Sequence, residues 1–173
     1  TYERGGSDRT AADLGILFHK KYDTVIDLEK DSSVVSADPK IVKEELEEVK
    51  ELSYNEARLA GMFGMKIVDP IAIKEILENG LEIPLTITNM KSPEMITKIQ
   101  RKPEDKSGHP LKIVTGKKNC AILRIESDMV RDLLVSLEKD KRYSEFIVLS
   151  PFTKDGIEFS RILFLDGDYV KRN

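Results

Sequence analysis

Apolar and polar positions repeat with two different periods along this chain, and the changes between them mark out its elements. Ala11, Leu14, Leu17 and Phe18 fall on one stripe at helical spacing and predict a helix over Asp8 to Lys20. Tyr22 to Leu28 predicts a strand, and the polar Glu29 to Ser33 a loop. Val34, Val35 and Ala37 follow, before Pro39 ends any regular element. Glu44 to Lys50 is a charge run carrying Leu46 and Val49, and reads as a solvated stretch with few buried contacts. Leu52 to Ala57 opens a second helix, with Ser53 as its cap and Glu56 completing a capping box. Gly61 and Gly64 interrupt that pattern, and Met62 and Phe63 between them read as core. Pro70 starts a further helix through Ile71, Ile73, Ile76 and Leu77, which Gly80 ends. Ile83 to Thr88 predicts a strand bounded by Asn89. Helix, strand, helices, strand is the order of a layered α/β domain.

Arg101 to Pro110 is almost devoid of apolar residues and reads as a linker, so His109 within it is expected to be a solvated loop residue. Beyond it the pattern changes. Cys120 to Ile125 alternates as a strand, and Asp128 is placed to cap a helix carrying Met129, Val130, Leu133, Leu134 and Leu137. Phe146 to Leu149 is a strand, Pro151 to Gly156 a turn, Ile157 to Leu165 another strand, and Asp166-Gly167-Asp168 a second turn signal. This β-α-β-β unit leaves a sheet face and an edge open, so it calls for a partner or further elements.

Composition narrows the class. The 173 residues suffice for one domain or two small ones. The chain is 40% hydrophobic and 34% charged, with a net charge of −3 and both signs mixed along it, which argues against a nucleic-acid protein built on a basic face. The single cysteine, Cys120, excludes a disulfide framework within the chain and reads as a small buried hydrophobe. The two histidines, His19 and His109, lack metal-ligand spacing, and no metal site is expected from the protein's own residues. No apolar run approaches the ~18 residues of a membrane span, and no signal peptide is visible, so a cytoplasmic chain without a membrane partner is expected. The chain opens at Thr1, inside a glycine turn, and reads as a fragment.

That opening carries the candidate chemistry. In Arg4-Gly5-Gly6-Ser7-Asp8 the glycines free the backbone to turn, and Ser7 and Asp8 stand at a helix start where amide N–H groups lack internal partners. Such a turn offers N–H groups to an anion, and Arg4 adds a planar donor fork suited to carboxylate or phosphate.

Arg4 to Ala11 resembles the GRGGSDxTA signature of aspartate kinases, in the amino acid kinase superfamily. Two further motifs follow in that family's order: Ala37-Asp38-Pro39-Lys40 resembles its ADPR, and Gly64 to Pro70 resembles its GAKVLHP. Ser92-Pro93-Glu94, with the strand before it, resembles the segment that closes the kinase domain, and the β-α-β-β unit resembles an ACT domain. The implied fold is α/β: the carboxy-terminal half of a three-layer amino acid kinase domain over residues 1–101, a linker at 102–112, and a partial ferredoxin-like ACT domain over 113–173.

The resemblance implies phosphoryl transfer from ATP, with Mg2+, to the side-chain carboxylate of L-aspartate. Arg4, Ser7 and Asp8 would bind or orient the substrate, and Asp8 and Lys66 would serve catalysis, Asp8 by positioning a lysine from the other half of the domain. Lys40 and Lys66 would face the nucleotide phosphates, and Asp31 would serve the nucleotide from a shifted loop. An amino-acid effector, lysine or threonine, would sit at Ser127, Asp128 and Met129, between paired ACT-like domains of a homo-oligomer. The sequence departs from the family pattern at several places. A gapless match puts Lys30 where the family has an acidic residue, Ser33 where it has glycine, Val35 where it has tyrosine and Asp69 where it has histidine. The alternatives are a non-catalytic regulatory chain that binds an amino acid through its ACT-like part, and an amino acid kinase with another acceptor.

Overall fold

A computed structural model describes residues 6–104, 111–139 and 146–172. Arg4, Gly5 and His109 lie outside the described residues. The chain divides into two compact units, the first reaching Gly116 and the second starting at Lys117. No helix among the described residues is long and apolar enough to cross a membrane.

The first unit is built on a mixed four-stranded sheet. Helix α1 (Gly6–His19) is followed by β1 (Ile26–Lys30), β2 (Glu51–Ser53), α2 (Tyr54–Met62), α3 (Pro70–Glu78), β3 (Leu85–Asn89) and β4 (Ser92–Gln100). The strand order is β1-β3-β4-β2, with β1 parallel to β3, β3 antiparallel to β4, and β2 parallel to β4. Alternate residues of the strands, among them Ile26, Leu28, Leu52, Leu85, Ile87 and Ile99, are buried. They share one core with Ala12 of α1, Ala57 and Ala60 of α2, and Ala72, Ile73 and Ile76 of α3. On the other face of β1, Asp27 accepts hydrogen bonds from Thr86 (2.7 Å) and Thr88 (2.9 Å).

Helix α1 corrects one expectation. Its apolar stripe is not what it buries: Leu14, Leu17 and Phe18 are exposed, Leu17 by 61%, whereas Asp8, Ala12 and Gly15 are buried. Small residues at that spacing let the helix lie close to β1. A Cβ built on Gly15 would stand 2.5 Å from Cδ1 of Ile26, closer than any side chain tolerates. The strand after α1 begins at Ile26 rather than Tyr22, because the Lys21 and Tyr22 N–H groups bond back to the Phe18 carbonyl and close the helix.

Local signals fared better at α2 and α3. Ser53 Oγ accepts from the Glu56 N–H (3.2 Å), and the Glu56 carboxylate accepts from the Ser53 N–H (2.6 Å). Burial acts to raise the Glu56 carboxyl, but these bonds and the Lys112 ammonium outweigh it and hold the carboxyl below its usual range. Asp69 caps α3 by accepting from the Ile71 N–H (2.8 Å), with Pro70 at the first helical position.

The linker and second domain were expected at 102–112 and from 113. Here Ile113 packs against the core of the first unit, the Val114 N–H donates to the Ser36 carbonyl (2.8 Å), and Thr115 Oγ1 donates to the Phe63 carbonyl (3.2 Å).

The second unit contains β5 (Ala121–Glu126), a 3-10 turn (Ser127–Met129), α4 (Val130–Lys139), β6 (Phe146–Lys154), β7 (Ile157–Phe164) and a short α5 (Gly167–Arg172). Its antiparallel sheet runs β5-β7-β6, and Leu137 of α4 packs with Ile162 and Phe164. Pro151 does not end β6. The register shifts between Leu149 and Phe152, and that bulge absorbs the missing N–H. The chain reverses at Asp155-Gly156, both with positive φ (52° and 79°), as a two-residue hairpin requires. Gly167 opens α5 where only a turn was expected. Cys120 is exposed, because it precedes β5 and so lies outside the apolar alternation.

Candidate active site

In a parallel pair of strands, the carboxyl ends are where loops diverge and leave room for a ligand. Strands β1 and β3 are such a pair, and a cleft of about 370 Å³ lies beyond the end of β1. Its walls are Lys30 to Val35, which follow from that strand end, Asp38 to Lys40, the turn from Gly64 to Ile67, and Ile87 of β3.

Each wall has a local cause. The Met65 N–H bonds the Ala60 carbonyl and the Gly64 N–H bonds the Gly61 carbonyl, both at 3.0 Å. This is the 6→1 and 5→2 pairing of a Schellman motif. It needs a left-handed residue at Gly64, whose φ is 100°, and it delivers Lys66 to the cleft immediately after α2. Asp38 forms an Asx-turn: its carboxylate accepts from the Lys40 N–H (2.9 Å), while its carbonyl accepts from the Ile41 N–H (2.9 Å). That turn presents Lys40. The loop after β1 is tied to the β3–β4 turn: the Met90 N–H donates to the Lys30 carbonyl (2.8 Å), and the Asn89 amide donates to Ser33 Oγ (2.9 Å). Lys40 and Lys66 are exposed, and among the described residues neither ammonium forms a hydrogen bond or ion pair.

Beside this cleft lies a charged network. Asp8 is buried, and its side chain accepts from Lys30 Nζ at 2.9 and 3.0 Å and from the Asp69 N–H at 3.0 Å. The Asp69 carboxylate accepts in turn from Arg9 Nε (3.3 Å). Burial, with Asp13 adding repulsion, pushes the nearby Glu75 carboxyl up against the pull of Arg9. Four long-range bonds therefore pin α1, β1 and the start of α3 together.

The residues singled out from the sequence fall in three places. Asp31, Lys40 and Lys66 line the cleft together. Asp8 stands behind it, and its carboxylate serves α3 and Lys30. Ser7 is exposed on the first turn of α1, and Arg4 lies outside the described residues. In the second unit, Asp128 and Met129 are exposed on the 3-10 turn after β5, and Ser127 Oγ lies 2.9 Å from Ser160 Oγ. Asp128 does not cap α4. The residue before the turn is Glu126, and it makes no side-chain cap. Two residues of the site were missed from sequence. Asn89 looked like a strand end, and Lys30 looked only like a departure. No local pattern announces a bond to a residue 22 positions away. Among the described residues no three His, Cys, Asp or Glu side chains gather as a metal site.

The sequence model of the amino acid kinase family matches residues 1–89. The chain belongs to the amino acid kinase family. In fold, this family member is similar to E. coli aspartokinase III in complex with aspartate and ADP in its R-state, with a TM-score of 0.65 and 22% identity over 96% of this chain and 36% of that one. It is similar also to the aspartate kinase of Clostridium acetobutylicum, with a TM-score of 0.62 and 22% identity over 96% of this chain and 38% of that one. The chain thus spans somewhat over a third of the length of each. The α/β class with mixed sheets agrees with the expectation from sequence, and the β-α-β-β order of the second unit is consistent with an ACT-like fold.

Proposed function

We propose that this chain is the nucleotide-binding part of an aspartate kinase, which transfers the γ-phosphoryl group of ATP to the side-chain carboxylate of L-aspartate. One observation carries the reading: Lys40 and Lys66, assigned to the nucleotide from two separate motifs, line a single cleft at a parallel strand end together with Asp31, assigned to it from a shifted loop. The cleft fits the group. Lysines are there for phosphate oxygens, and Val34, Met65, Ile67 and Ile87 provide an apolar wall for a base. Mg2+ is held largely by phosphates in such sites, and Asp31 is the exposed carboxylate that would meet it.

A carboxylate acceptor is ionised at neutral pH, so no general base is required. Its oxygen attacks the γ-phosphorus, the bond from that phosphorus to the β–γ bridging oxygen breaks, and ADP leaves with the electron pair. What the protein must supply is orientation and positive charge against the transferring group. Lys66 and Lys40 fill that role on the nucleotide side. Arg4 and Ser7 would hold the amino acid. The test is hydroxylamine trapping of an acyl phosphate, with the chain in its full gene product. Hydroxamate that requires both ATP and aspartate supports the reading. Nucleotide binding without hydroxamate would favour the non-catalytic alternative.

Regulation is part of the same proposal. The carboxylate of Asp128 is exposed and suits the amino group of a lysine or threonine effector, bound where two second units pair. Calorimetry with each amino acid checks it: heat is expected with one of them and is lost in Asp128→Ala, whereas no heat with either contradicts it.

A further inference from the structure

Lys30 ends β1 at the cleft, yet its position is one where an acidic residue was expected to meet the nucleotide. We propose that Lys30 is itself a phosphate-binding residue of this cleft, with its ammonium aimed by Asp8. The inference rests on the cleft being the nucleotide site.

The geometry separates this lysine from Lys40 and Lys66. Both of those are exposed and untethered among the described residues, so binding a phosphate must first arrest a flexible side chain. Lys30 is already held. Nζ reaches both oxygens of Asp8, and its side chain is only 27% exposed, against 9% for that of Asp8. Asp8 is fixed in turn by the Asp69 N–H, at the cap of α3, so the anchor does not swing. An ammonium has three N–H donors. Two serve Asp8, and the third remains for a ligand in the cleft that Lys30 lines. The backbone is equally constrained, because the Lys30 carbonyl accepts from the Met90 N–H.

The charge balance agrees. Lys30, Lys40 and Lys66 line the cleft against Asp31 and Asp38, so cations outnumber carboxylates on its walls, while Asp8 partners Lys30 from behind them. The basic replacement thus settles the buried carboxylate of α1 and contributes a fixed cation to a polyphosphate. The competing account is that Lys30 merely glues β1 to α1 and no ligand meets it.

The test is calorimetry of the full chain with ADP and with adenosine, for the parent protein, Lys30→Met and Lys30→Arg. We expect Lys30→Met to weaken ADP binding about tenfold or more and to leave adenosine binding unchanged, with Lys30→Arg retaining most of the ADP affinity. ADP binding to Lys30→Met at parent strength overturns the inference and leaves the nucleotide reading standing. A parent protein that binds no ADP defeats both. Should Lys30→Met not fold, lysine acetylation of the parent protein, followed by mass spectrometry, decides the matter. Protection of Lys30 by ADP but not by adenosine supports the inference, and protection of Lys66 without Lys30 overturns it.

Discussion

Asp8→Ala is expected to destabilise the first unit by about 2–4 kcal/mol. The change removes the acceptor of three bonds at once. It strands the Lys30 ammonium beside α1 and leaves the Asp69 N–H without its partner at the start of α3. Breaking a buried pair from one side costs more than the pair contributes, because the remaining charge has lost its water and its partner. Lys30 keeps partial access to solvent, which holds the effect below the top of the range for fully buried pairs. Asp8→Asn retains an oxygen for the Asp69 N–H and should lose about half as much. Amide exchange at Ile26 to Lys30 and Ile73 to Leu77 reads this unit alone. A loss under about 0.5 kcal/mol in Asp8→Ala would show that the network does not hold the helices to the sheet.

Lys66→Met should do the opposite. Lys66 is exposed and contributes nothing to the core, so its loss is expected to change stability by less than about 0.5 kcal/mol. Its expected cost falls on chemistry. Removing a cationic donor from a site of developing charge lowers turnover by about 10²–10³-fold. Methionine preserves the apolar stem, so the deficit reports the ammonium. The rate of hydroxamate formation in the full gene product measures it. A variant that turns over at the parent rate would remove Lys66 from catalysis, whatever its position in the cleft.

The pairing of those two variants shows what the sequence disclosed and what it hid. Short-range chemistry was legible. The capping box of Ser53 and Glu56, the proline start of α3 and the interruption at Gly64 each depend on neighbours within five residues. Motif order pointed to Lys40 and Lys66, and both line the cleft beyond β1. What escaped was anything decided across the fold. The buried face of α1 is made of Asp8, Ala12 and Gly15, and small residues advertise burial only once a strand is known to lie against them. Strand β4 begins Ser92-Pro93-Glu94, which looks like a loop. It is tolerated because β2 pairs only with Lys98 to Gln100, and on the other side the β3–β4 register shifts between Thr88 and Asn89, leaving Pro93 without a ladder partner. Lys30 and Asp69 looked like lapses from a family pattern, yet both turn out to bond to the α1 carboxylate or its neighbour Arg9. Both bonds join residues far apart in the chain, so no local pattern disclosed them.

The claim on which the rest depends is that a nucleotide occupies the cleft beyond β1. Titrating ADP into the isotopically labelled chain and following backbone amide resonances tests it most directly. The account predicts that the perturbed amides are those of Asp31 to Val35, Lys40, and Gly64 to Ile67, with Thr86 and Thr88 on the opposite face of the sheet unmoved. Perturbation centred elsewhere in the chain, or none at saturating ADP, would contradict it.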